Sequence, residues 1–157
     1  MQRSSNEVSG PGAEGAAPVQ VYLVEARFVD GSAAGEPVRW ETVGLEIAAD
    51  VRRPSPRTVT VALRVRADEG APVVLDVRYA CDFDVGDAVE GEAVDGVCRE
   101  LALVTGPALL YPYVREEVSR LTERSRLGRL ELPLLRPPLQ ALDEFSVPPP
   151  EGQGQEP

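Results

Sequence analysis

The chain contains no histidine, which removes the commonest general base, proton shuttle and metal ligand together. Asp76, Asp82 and Asp84 are the carboxylates best placed to gather a hard cation, since residues two apart on a strand share a face. No ligand-rich loop completes such a site, and a solvated sheet face accounts for the three acids more simply, so no metal is expected. Gly91, Gly96 and Gly106 match neither a phosphate loop nor a dinucleotide fingerprint. Cys81 and Cys98 are the only cysteines, at a spacing that fits neither a zinc ribbon nor a redox pair. Both fall on apolar faces, which makes them small buried hydrophobes. No serine or threonine has an evident base partner. The residues nominate no nucleophile, base or cofactor, and the expectation is a protein that binds rather than catalyses.

Binding needs elements to present it. Four segments alternate with period two and read as strands. In the first, Tyr22, Val24, Ala26 and Phe28 share one face, with Leu23, Glu25 and Arg27 on the other. In the second, Val43, Leu45 and Ile47 alternate with polar or small residues, and Asp50 to Pro56 reads as a loop. The third sets Val59, Val61, Leu63 and Val65 inward against Thr58, Thr60, Arg64 and Arg66, and ends at an Asp68-Glu69-Gly70 turn. The fourth carries Val73, Leu75, Val77, Tyr79, Cys81, Phe83 and Val85 on one face and mostly charge on the other. One buried and one wet face imply an antiparallel sheet.

After Gly86 the period lengthens. Val94, Val97, Cys98, Leu101 and Val104 fall at helical spacing. Thr105-Gly106-Pro107 reads as the start of a second helix capped by Thr105, with Leu110, Tyr113, Val114, Val118 and Leu121 as its stripe and Gly128 as its end. Leu130, Leu132, Leu134 and Leu135 then lie in a stretch punctuated by Pro133, Pro137 and Pro138, which cannot be helical. It is an extended strap, packed on something apolar or left exposed, with a short helix from Leu139 to Phe145 after it. Strands first and helices afterwards give an α+β fold.

Bulk properties narrow the partners. A hydrophobic fraction of 43% suffices for a core, and no apolar run reaches the ~20 residues that span a bilayer. The formal charge of −10, with every basic residue an arginine, repels phosphate backbones and anionic membranes, so neither nucleic acid nor a membrane is an expected direct partner. Residues 1–18 are low-complexity, lack the apolar core of a secretory signal and are expected to be disordered. So is the Pro/Gly/Gln-rich tail 147–157, leaving an ordered domain over 19–146 in a cytoplasmic protein.

One resemblance adds to this reading. Leu109-Leu110-Tyr111-Pro112-Tyr113-Val114-Arg115-Glu116 is similar to the opening of the long helix in the SecB protein-export chaperones, an apolar-aromatic-Pro-Tyr-x-Arg-Glu motif. Trp40 before the second strand, Leu45-Glu46-Ile47, the valine-rich strand from Thr58 to Arg66, Leu75-Asp76-Val77, Phe83-Asp84-Val85, Gly91-Glu92 and Gly128-x-Leu-x-Leu-Pro agree in order. The likeness spans about residues 20–142, and the Pro-Tyr-x-Arg-Glu element is its most specific part.

The resemblance implies a four-stranded antiparallel sheet with helices packed on one face, in a homo-oligomer built as a dimer of dimers. It implies an ATP-independent holdase that takes unfolded or precursor polypeptides into an apolar groove. Trp40, Val43, Leu45, Leu130, Leu132, Leu134 and Leu135 are the groove candidates, although about half of such residues serve to close the core instead. A leucine-rich strap beside an aromatic suits a sequence-tolerant groove on physical grounds as well. The resemblance also implies an acidic sheet face that docks the export ATPase SecA, at Glu25 and Asp76. The chain departs from the family in having no Cys or His after residue 145, where the zinc-binding tail would be, and in Leu135-Arg136-Pro137 replacing the strap's Asn-Phe. Those departures admit a second role, that of an adaptor or antitoxin-type chaperone serving one toxin–antitoxin partner.

Overall fold

The computed structural model describes residues 15–31, 38–87, 91–134 and 151. Four strands, β1 (Ala17–Asp30), β2 (Leu45–Ser55), β3 (Thr58–Ala67) and β4 (Val73–Asp84), form one antiparallel sheet in the order β1-β4-β3-β2. The expected α+β fold is therefore present. The alternation of β3 and β4 sorts as the sequence demands: Val59, Val61, Leu63, Val65, Leu75, Val77, Cys81 and Phe83 are all in the core. The β3–β4 turn closes through the Ala71 N–H on the Asp68 carbonyl, with Gly70 at φ +87°.

Four local expectations need correction. β1 starts at Ala17, inside the stretch expected to lack structure. It also switches faces part-way, because a bulge falls between Leu23 and Glu25. Val21 and Phe28 consequently pack against the core, whereas Tyr22 turns outward and donates to Asp82. β2 does not stop at Asp50. Ala49 and Val51 continue its inward alternation, and Pro54 is tolerated because β2 is an edge strand that owes no N–H to an outer neighbour. Val43 precedes the strand, at the end of a 3-10 turn spanning Trp40–Thr42.

The two helices are one. Helix α1 (Glu92–Glu100) runs through a π turn (Leu101–Thr105) into α2 (Gly106–Thr122), and Thr105 has helical dihedrals, so it caps nothing. The reason lies in Gly106-Pro107. Pro107 has no N–H for the Leu103 carbonyl and its ring would crowd that group, which the wider π turn avoids. Gly106 then lets the helix touch the sheet, since a Cβ there would come within 2.5 Å of Val61 Cγ1. The helix lies across the core face of the sheet and buries Val97, Cys98, Leu101, Leu110, Val114 and Val118 against it. After Thr122 the chain turns through Ser125–Gly128, with Gly128 at φ +80°, and runs back beside α2 without regular structure. Leu135 and the short helix expected from Leu139 lie outside the described residues, as do residues 1–14 and all of the tail except Glu151.

Candidate polypeptide-binding site

The strap is held to the helix by polar groups at one helical spacing. Tyr111, Arg115, Ser119 and Thr122 form a stripe along α2. Thr122 Oγ1 accepts from the Leu130 N–H at 2.8 Å, and Arg115 Nε donates to the Leu132 carbonyl at 2.8 Å. The Tyr111 hydroxyl donates to the Pro133 carbonyl, and Ser119 donates to Glu131 at 3.1 Å. Arg129 reaches Ser119 and pairs with Glu131 at 2.6 Å. An extended segment with no sheet partner thus has its backbone satisfied by side chains. Burial raises the pKa of the Tyr111 phenol, so it stays a neutral donor at physiological pH.

Trp40 seats the strap's beginning. Its indole N–H donates to the Gly128 carbonyl at 2.8 Å, and its ring lies 6.0 Å from that of Phe28. Beside it a cleft of about 580 Å³ opens, lined by Trp40, Leu127 and Leu130 together with Arg39, Glu41, Arg129 and Glu131. The expected groove is therefore only partly apolar here, with both signs of charge around a small apolar floor. A second cleft, of about 420 Å³, lies between α2 and the strap among Arg115, Glu116, Ser119 and Arg129.

The sequence-nominated groove residues divide. Trp40 and Leu130 line the cleft. Leu45 is partly buried and packs on the core. Val43, at 8% exposure, and Leu132, at 1%, belong to the core and present nothing to a ligand in this conformation. Leu132 is drawn in because Arg115 donates to its own carbonyl and Tyr111 to the next, at Pro133, which holds the strap onto the helix. Leu134, only two residues on, is 79% exposed. Leu127, Arg39 and Arg129 were not nominated, although the Gly128 helix stop and the alternating Arg129-Leu130-Glu131 charges marked the place.

Comparison with known proteins places this arrangement. The SecB-like chaperone Rv1957 of Mycobacterium tuberculosis, in a structure with a peptide from the HigA1 antitoxin, aligns at 26% identity and TM-score 0.61 over 79% of this chain and 90% of that one. The chain is SecB-like. A protein of unknown function from Streptococcus agalactiae also aligns, at 12% identity and TM-score 0.45 over 76% of this chain and 97% of that one, too distant to carry an argument. No family model and no curated protein matches the chain.

On this SecB-like sheet the outer face is a lattice of cross-strand ion pairs. Arg64 holds Asp76 by two hydrogen bonds, one of them from Nε at 2.7 Å. Arg66 holds Glu46, and Arg78 holds Asp50 at 3.0 Å. The nominated acid Asp76, its side chain 14% exposed, is thus already neutralised by a neighbour, and the hydrogen bond to it raises the Arg64 pKa further. Glu25 is exposed and lies opposite Arg78. Among the described residues no group of three or more His, Cys, Asp or Glu side chains is placed to hold a metal, and no helix is long and apolar enough to cross a membrane.

Proposed function

We propose that this SecB-like protein is an ATP-independent cytoplasmic chaperone that binds non-native polypeptides as extended segments along the strap. The observation that carries the proposal is the strap itself. Side chains of α2 fix its backbone, Leu132 pins it, and yet Leu134 and the Trp40–Leu127–Leu130 floor face outward. A rigid, preordered edge with apolar footholds lowers the entropy lost when a flexible chain settles on it. In this reading Glu25 belongs to the face that meets partners such as SecA, whereas Asp76 contributes through its pair with Arg64. A tetramer built as a dimer of dimers would set several such straps on one particle.

A second reading is favoured by the antitoxin peptide bound to Rv1957: that this chain serves one antitoxin-type partner. One experiment separates the two. Purified protein at several-fold excess is added, without nucleotide, to a chemically denatured client, and light scattering follows aggregation. Suppression with several unrelated clients supports the holdase. Failure with all of them, alongside tight binding of a single antitoxin-type peptide, supports the dedicated adaptor. Failure in both assays refutes polypeptide binding. Trp40, the only tryptophan, reports occupancy of the cleft by its fluorescence.

A further inference from the structure

Among the described residues β2 is the free edge of the sheet on the side away from β1, and its far end is basic in a chain of net charge −10. Arg52 projects there with its side chain 55% exposed, and Arg53 follows it. One segment distant in sequence comes to this place. The Glu151 N–H donates to the Arg53 carbonyl at 2.7 Å, and the Glu151 carboxylate stands 4.0 Å from the Arg52 guanidinium. The Glu151 N–H thereby satisfies a backbone acceptor on the outer side of β2, and the charge contact selects an acidic residue.

Reach permits the contact to be made within one chain. Gly106, on the helix that carries the strap, lies against Val61, and Val61 pairs with Val51 of β2, so that helix abuts this end of the strand. The sixteen residues between Leu134 and Glu151 span at most ~55 Å. A strap that ends beside α2 can therefore feed a segment to the Arg52–Arg53 end without strain.

We infer that the Arg52–Arg53 end of β2 is a docking surface for an acidic segment, and that its occupant is the chain's own segment at Glu151. The inference is independent of client binding. It gives the acidic tail a seat and covers part of an edge that is otherwise open to pairing with other chains.

Amide hydrogen exchange on the full-length protein tests it. Pro148, Pro149 and Pro150 carry no N–H, so the Glu151 amide is an isolated reporter. The expected result is protection of Glu151 at least about tenfold above the Gly152 and Gly154 amides. Arg52→Glu should abolish that protection, and the Arg52→Glu/Glu151→Arg double variant should restore it. Arg52 is exposed, so neither change threatens the fold. Exchange of Glu151 at the rate of Gly154 in the unaltered chain would overturn the docking. Full protection in Arg52→Glu would overturn the selection for acid. Protection that falls on dilution would mean the occupant is another copy's tail, which would overturn the intramolecular assignment.

Discussion

Replacing Leu132 by alanine tests whether the strap is part of the folded unit or laid upon it. The side chain is 1% exposed and sits in the same core as Leu110, Val114 and Val118. Truncation removes three buried carbons, worth about 2–2.5 kcal/mol in transfer free energy alone. A residual cavity adds to this, but the strap lies at the surface and can settle inward, which holds the total to about 2.5–3.5 kcal/mol. The protein should remain folded, because domains of this size hold roughly 5–15 kcal/mol. Urea unfolding followed by circular dichroism gives the global loss, and Trp40 fluorescence gives the local one through its bond to Gly128. The midpoint should fall with an unchanged slope, and both probes should move together. Leu134→Ala, at a side chain 79% exposed, should stay within about 0.5 kcal/mol of the parent while weakening client binding. A loss below about 1 kcal/mol for Leu132→Ala would refute the reasoning, since a pinned leucine cannot be that cheap to remove. A Trp40 transition well ahead of the sheet's would show instead that the strap opens independently.

Other outcomes follow from single groups. Trp40→Phe keeps a ring against Phe28 but leaves the Gly128 carbonyl without its indole donor, so a loss of about 0.5–1.5 kcal/mol is expected in urea titration. The Gly86 N–H and then Arg57 hold the Asp84 carboxyl below its ordinary pKa. A lowered folded-state pKa gives stability that is present above the unfolded value of about 4 and lost as the pH falls through the folded one. Asp84→Asn should accordingly flatten the dependence of the thermal midpoint on pH below about 4, and an unchanged acid slope would count against the assignment. Burial raises the pKa of both thiols, at Cys81 and Cys98, so neither should react with a thiol reagent in the native protein at neutral pH. Both should react once the chain is unfolded, and a rapid native reaction at either would show a breach in the core.

What could be read in the sequence is what side-chain period alone controls. β3 and β4 pair along their whole length between two neighbours, so their alternation carries the register and their core face followed it, although Thr60, Ala62 and Ala80 on the opposite face are buried as well. β1 obeys the same period only to Leu23, where a bulge that no residue type announces inverts the remaining faces. The end of β2 hides behind Arg52, Arg53 and Pro54, all tolerated because an edge strand owes nothing to an outer neighbour. Thr105-Gly106-Pro107 carries every local sign of a helix start, and tertiary packing of Leu101, Ala102 and Gly106 overrides it. In the strap, Leu130, Leu132 and Leu134 share a parity, and parity would point all three the same way. The clasp by Tyr111 and Arg115 separates their fates, burying Leu132 and leaving Leu134 out.

The π turn between α1 and α2 sets more than a bend. Each added residue advances an α-helix by about 100°, so a one-residue surplus at Leu101–Thr105 rotates everything downstream relative to everything upstream. The buried stripe of α1 and that of α2 face the same sheet only because this offset exists. The strap-holding row at Tyr111, Arg115, Ser119 and Thr122 rides on the downstream half. The turn therefore works as an angular offset between two successive helical parts. One part is fixed by the sheet, and the other decides the azimuth at which the strap is carried. Relatives that lengthen or shorten this turn by a residue could re-aim the strap around the domain while leaving every sheet contact of α1 in place.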